Sequence, residues 1–318
     1  MLWEPAIYEH KAALIGKSPI ETACSPDLLT ESLLKEYEVY CADFLCVGID
    51  IYNIEAEACG AELTVAGDNE CPDIAAPLFD PMTIPEYFKL PDIPHSGRFQ
   101  LILDAAQRVR DKLSARTMVR VAASGPVTIA AKLAGLDGVI MSLALEDGQA
   151  ERLLDFTTEL CSEWCRAINN AGLDVVIFDS MASPPMLSPD MFARHVLPRY
   201  SSLMKQLAGA GQTERELVLG GDTTPVARRL AGCGATMLVC DYIADAAAYA
   251  SAAGSPEIKI RRNIAPSSLG GNITGAVSSY LDDLAMFKHP VCGTGILPYS
   301  FNPKDYLAFR GAVEASRV

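Results

Sequence analysis

Apolar, β-branched runs recur along this chain. After each comes a turn rich in Gly, Ser, Asp or Pro, and then a stretch with helical spacing. The runs are DFLCVGIDI (43–51), TMVRVAAS (117–124), GVIMSL (138–143), DVVIFDS (174–180), ELVLGGD (216–222), TMLVCDY (236–242), EIKIRRNI (257–264) and, last, VCGTGIL (291–297). Between them, LILDAAQRVRDKLSA, ERLLDFTTELCSEWCRAINNAG, DMFARHVLPRYSSLMKQLAGAG and TPVARRLAGCG have the pattern of amphipathic helices. Strands that alternate with helices predict a parallel sheet. About eight runs favour a closed barrel over an open sheet. The pattern therefore predicts an α/β chain, a (β/α)8 TIM barrel, as one domain over residues 1–318 with an N-terminal extension. Residues 60–97 are Pro-rich and irregular, which predicts an insertion or lid near the barrel mouth.

Composition narrows the function classes. The chain has 318 residues, half of them hydrophobic, which is ample for a large core. A net charge of −14 and the lack of a Lys/Arg-rich stripe argue against nucleic acid as a partner. No apolar run approaches a membrane span. The opening MLWEPAIYEHKAALIGKSP lacks the charged and apolar regions of a signal peptide. A cytoplasmic, reduced location is expected, where the ten cysteines suggest metal or catalysis more than disulfides. Cys161 and Cys165, four apart on a helical pattern, read as core fillers. Neither GxGxxG after the first run nor GxxxxGK[ST] occurs, so dinucleotide and P-loop readings lack support.

Three residues at run ends carry the candidate chemistry: Asp222, Cys240 and Cys292. In a β/α barrel the C-terminal strand ends share one face, and the chemistry sits there. One carboxylate and two thiolates converging on that face would form a three-ligand Zn²⁺ site with an open fourth position. The same residues also suit an N-cap before Pro225 and two buried structural thiols. Glu55, Glu57 and His289 are alternative ligands. Asp179 ends a run and is the candidate acid/base group, with Glu57 as a second catalytic or ligand-orienting carboxylate. Tyr242, Asn263, Ser183 and Tyr299 are candidate substrate contacts at the mouth.

Four segments resemble the uroporphyrinogen decarboxylase superfamily. They are ASGPVTIAAKLAG (123–135), FDSMASPPMLSPDMFARHVLPRY (178–200), GGDTTPVARRLAGCGATMLVCDY (220–242) and VCGTGILPYSFNPKDYLAF (291–309). The N-terminal Arg-Pro-x-Trp-x-Met-Arg-Gln motif that binds porphyrinogen carboxylates in the decarboxylase branch is missing; the first arginine is Arg98. The resemblance therefore points to the cobamide (corrinoid)-dependent zinc methyltransferase and O-demethylase branch. That branch uses a His-x-Cys pair and a final Cys as ligands. Cys292 is matched to the final Cys, while Val218 and Gly220 stand at the His-x-Cys places. Asp222 and Cys240 are the expected substitutes.

The resemblance implies a zinc-dependent methyltransferase. It would move a methyl group between a small substrate (methyl ether, methylamine, thiol or tetrahydrofolate) and a corrinoid. No corrinoid-binding Asp-x-His-x-x-Gly segment occurs, so cobalamin is expected on a separate corrinoid protein that docks at the mouth. Two alternatives stay open. One is a metal-free decarboxylase-like enzyme acting on a small carboxylate through Asp179. The other is a non-catalytic, tetrapyrrole-binding barrel.

Overall fold

The computed structural model describes residues 1–80, 85–113, 116–254, 257–271 and 273–316. Eight parallel strands form the barrel, numbered here in chain order: β1 Leu2–Glu4, β2 Phe44–Val47, β3 Met118–Ser124, β4 Asp174–Phe178, β5 Glu216–Val218, β6 Met237–Cys240, β7 Lys259–Ile264 and β8 Pro290–Thr294. Each strand pairs with the next from β2 to β8, and β8 pairs with β1. The remaining seam between β1 and β2 is nearly closed. Asp43 donates its N–H to the Trp3 carbonyl at 2.9 Å, and the Trp3 N–H donates to Asp43 Oδ2 at 2.7 Å.

Two expected elements change. Residues 138–143 lie within a helix, Leu136–Leu145, not a strand. Its buried positions are Val139, Ser142 and Leu143, a helical spacing that an unbroken apolar run conceals. The missing eighth strand is β1, so the N-terminal stretch opens the barrel rather than preceding it. Three residues carry too little alternation to be read alone.

The helices cover the outside. Gln149–Asn170 buries Leu153, Leu154, Leu160, Cys161, Trp164, Cys165 and Ile168 on one stripe. Trp164 packs on Phe99 of the neighbouring helix Phe99–Leu113, ring centroids 4.2 Å apart. Each buried aliphatic side chain on that stripe contributes about 1.5–3 kcal/mol. No single helix among the described residues is long and apolar enough to cross a membrane.

Inside the barrel, side chains alternate along each strand and stack in layers. The lowest layer is apolar, with Phe44, Met237 and Val291 at its centre. The upper layer is apolar too and includes Ala122, Val176, Phe178, Val218 and Val239. Between them lies a charged layer of Glu4, Arg120, Glu216 and Arg261, all buried. Arg120 bridges Glu216, at 2.6 Å, and Glu4. Arg261 bridges Glu4 at 2.5 Å and Glu216 at 3.1 Å. Two positive and two negative groups leave this layer neutral. Within residues 60–97 a short ribbon, Leu63–Thr64 with Asp73–Ile74, lies beside the barrel mouth, tied down by the bond from Asn53 Nδ2 to the Pro72 carbonyl at 2.7 Å.

Candidate active site

Two adjoining cavities open at the C-terminal strand ends. The larger, about 300 Å³, is lined by side chains that include Tyr8, Tyr52, Val218, Asp241, Tyr242, Arg261, Asn263 and Thr294. The smaller, about 250 Å³, shares Tyr8, Tyr52 and Ile296 with it and adds Glu9, Asp50, Cys71 and Lys132. Tyr8 is buried, and its phenol is held well above the usual range, first by that burial and then by nearby Cys46 and Tyr52. Tyr52 shares a 2.8 Å hydrogen bond with Ser180 Oγ.

Asp241 is the carboxylate of the larger cavity. Its Oδ1 accepts from Asn263 Nδ2 and its Oδ2 from the Gly221 N–H, both at 3.1 Å. It makes no ion pair among the described residues. Asn263 is 7% exposed, and its Oδ1 is buried without a hydrogen-bond donor. Gly293, opposite Asn263 in the β7–β8 register, leaves room for that oxygen: an added Cβ would stand 2.3 Å from it.

The expected zinc ligands do not converge. Cys240 and Cys292 both pair in register with Arg262, and all three point away from the barrel interior. The Cys240 thiol accepts from Arg262 Nη1 at 3.1 Å, and burial pushes its pKa up to about 11. Cys292 packs outside the strand with Trp3, Tyr280, Tyr306 and Phe309. Asp222 caps a turn, its Oδ1 accepting from the Thr224 N–H at 3.1 Å. Strand parity explains the correction: the neighbour of each cysteine faces inward, Asp241 beside Cys240 and Gly293 beside Cys292, and the cysteines therefore face out. The places expected for a His-x-Cys pair do line the cavity, but they hold Val218 and Gly220, which offer no donor side chain. Among the described residues no three His, Cys, Asp or Glu side chains gather to hold a metal ion. The donor set therefore does not fit zinc.

Of the other expected site residues, the structure brings Tyr242 and Asn263 together at the larger cavity. It places four elsewhere. Asp179 is fully buried and serves as an anchor for the helix Pro126–Ala134. Its carboxylate accepts from the N–H groups of Thr128 (2.6 Å) and Val127 (3.2 Å) and from Tyr200 Oη (2.9 Å). Such bonds satisfy helix-start donors that the helix itself cannot. Glu57 is held by Arg98 Nε at 2.6 Å, beside the bidentate Arg98–Asp50 pair. Ser183 is buried with its hydroxyl unpartnered, and the Tyr299 hydroxyl donates to the Lys17 carbonyl. None of the four lines either mouth cavity. Tyr8, Tyr52, Asp241 and Arg261 were not singled out from the sequence. The legible signal was a polar residue inside, or one step beyond, an apolar run.

Burial governs three carboxyls in a way that sets the pH response. It raises Glu36 and Glu55 to about 7 and Asp179 to about 6; hydrogen bonds from Ser124 to Glu55 and from Thr128 to Asp179 oppose the shift only in part. These groups hold protons in the folded chain that the unfolded chain has already released above its ordinary carboxyl values of 4.5 and 3.8. Their contribution to stability is full below those values and is lost as pH rises through 6 to 7. Urea unfolding is expected to show a midpoint that declines across that window. Glu55→Gln should flatten the decline; a midpoint that rises, or an unchanged slope in the variant, would contradict this.

A nearly closed ring of eight parallel strands with substrate-sized cavities at the strand ends defines a β/α barrel of the kind that carries its chemistry on that face. Residues 6–287 match the uroporphyrinogen decarboxylase (URO-D) family, and the chain belongs to it. Its relatives include the methylcobamide:CoM methyltransferase MtaA of Methanosarcina barkeri, 25% identical over 235 residues, which cover 73% of this chain and 68% of the relative. MtaA of Methanosarcina barkeri strain Fusaro / DSM 804 is 24% identical over 221 residues, covering 69% of this chain and 63% of the relative. A solved methyltransferase structure from Methanosarcina mazei shares the fold, with a TM-score of 0.85 at 20% identity, covering 100% of this chain and 94% of that one.

Proposed function

We propose that this chain is a methyltransferase that moves a methyl group between a small substrate in the mouth cavity and the corrinoid of a separate carrier protein. The observation that carries the reading is the alignment with methylcobamide:CoM methyltransferases over 73% of the chain. The cavity supports it. A volume of about 300 Å³ suits a small molecule and leaves no room for a corrin ring, so the cofactor would be presented from outside. Tyr242, on the rim, and Asn263, deeper in, are the substrate-orienting groups of this reading. Asp241 holds Asn263 in place. The corrinoid, when bound, supplies the methyl-carrying cobalt.

Zinc is not part of the reading, because the donor set does not form. Protein purified without chelator is expected to hold well under one zinc per chain, and Cys240→Ala and Cys292→Ala should leave that content unchanged. One zinc per chain, lost in both variants, would restore the thiolate site. The activity itself is tested with free cobalamin followed by its visible spectrum. Protein-dependent methylation of cob(I)alamin by a small donor, or demethylation of methylcob(III)alamin by a small acceptor, is the expected result. No conversion in either direction, together with release of CO₂ from a small carboxylate, would replace the reading with decarboxylation.

A further inference from the structure

We infer that the larger mouth cavity takes a methylated ammonium cation, and that methyl transfer from it proceeds without a resident metal. The inference rests on the methyltransferase reading and adds its substrate class. Three tyrosines, Tyr8, Tyr52 and Tyr242, line the same cavity as Asp241. Aromatic faces attract a quaternary ammonium through the ring quadrupole, and a carboxylate adds direct attraction. Charge in the cavity points the same way. Arg261 reaches the floor, but Glu4 and Glu216 neutralise it. Asp241 has no such partner among the described residues. In the adjoining cavity Asp50 is paired to Arg98 and Asp73 to Lys132, while Glu9 makes no ion pair among the described residues. The uncompensated charge at the mouth is therefore negative.

The lack of a donor set agrees with this substrate class. A tetraalkylammonium nitrogen has no lone pair and cannot coordinate a metal. A thiol must lose a proton before it attacks, and a methyl ether must release an alkoxide; a Lewis acid assists both. A quaternary ammonium needs neither. The cobalt(I) electron pair of a reduced corrinoid attacks the methyl carbon and forms the Co–C bond. The C–N bond breaks with its pair left on nitrogen, which departs as a neutral tertiary amine. No proton moves, and cobalt passes formally from (I) to (III) as methylcobalt forms. Loss of the positive charge weakens the hold of the tyrosines and Asp241 on the product and favours its release.

The test is calorimetry on the full chain in zinc-free buffer. The probes are choline and tetramethylammonium, with 3,3-dimethylbutan-1-ol as the uncharged isostere of choline and 2-mercaptoethanesulfonate as an anionic thiol. Choline is expected to bind at least about tenfold tighter than its isostere, equivalent to about 1.4 kcal/mol. Asp241→Asn, which keeps shape but gives up one of the two hydrogen bonds the carboxylate accepts, should remove most of that advantage and weaken the isostere much less than choline. Tyr242→Leu, at an exposed rim position, should reduce it several-fold. Equal binding of choline and its isostere, no binding of either cation, or tighter binding of the thiol would overturn the substrate class. Added cob(I)alamin separates this inference from the reading beneath it. Cation binding with no cobalt methylation by any donor keeps the substrate class and overturns methyl transfer. Cobalt methylation by an ether, in a chain that ignores both cations, keeps methyl transfer and overturns the substrate class.

Discussion

Arg120→Leu is expected to destabilise the fold by about 3–5 kcal/mol, the usual result of removing one partner from a buried ion pair. Arg120 is fully buried, 2.6 Å from Glu216 and in contact with Glu4, and its guanidinium lies 4.6 Å from the Phe44 ring centroid. Without it, two carboxylates share Arg261 alone, and the buried layer carries a net negative charge away from solvent. The loss is a large part of the roughly 5–15 kcal/mol that holds an ordinary domain together. Urea unfolding measures it directly. The double variant Arg120→Leu with Glu216→Leu restores neutrality and should recover much of the loss, because the two residues are coupled. A loss below about 1 kcal/mol in the single variant, or no recovery in the double, would mean that the charged layer does not act as one unit.

Gly293→Ala should spare the fold and damage the site. The added Cβ would meet Asn263 Oδ1 at 2.3 Å, Arg261 Cγ at 2.8 Å and Arg261 Cδ at 3.1 Å. Arg261 is held by two carboxylates, so Asn263 is the side chain that must give way, and it leaves the 3.1 Å bond to Asp241 when it does. Overpacking of this kind costs about 1–3 kcal/mol of stability. A displacement near 1 Å in a substrate-orienting group lowers turnover by about 100-fold. Methyl transfer to or from cobalamin, read as kcat/KM, checks it. Gly311→Ala is the comparison: it lies in the outer helix Pro303–Ala315, and nothing stands within 4 Å of its added Cβ. Its effect should be at least about tenfold smaller. Equal effects would remove Asn263 from the substrate-orienting role.

Much of the architecture was legible because it follows from local periodicity. Seven of the eight expected strand runs, all but residues 138–143, overlap the barrel strands β2 to β8, and only β1 has to be added. Those two departures share a cause: short or uniformly apolar segments carry no period that separates strand from helix. The thiols were misplaced for a different reason. Proximity to a strand end was read correctly, but the face was not. A one-residue step along a strand exchanges the two faces, so Cys240 falls among the outer helices and Asp241 in the cavity. The lone charges in LWEP, TMVRVAAS and ELVLGG, and the charges of KIRRN, were the available signal, since a charge within an apolar run needs a buried partner.

The sequence by itself determined the alternation of strands and helices, membership of the family through the motifs that span residues 123–309, and the missing donors at Val218 and Gly220. Tertiary structure alone decided which side chains meet. Glu4, Arg120, Glu216 and Arg261 come from four strands spread over 258 residues, and only the closing of the ring sets their distances. The same closure turns Tyr8, Tyr52, Asp241 and Asn263 toward one cavity and sends Cys240 and Cys292 outward. Side-chain direction in a strand alternates with every residue, and its meaning is fixed only when the curvature of the barrel distinguishes inside from outside.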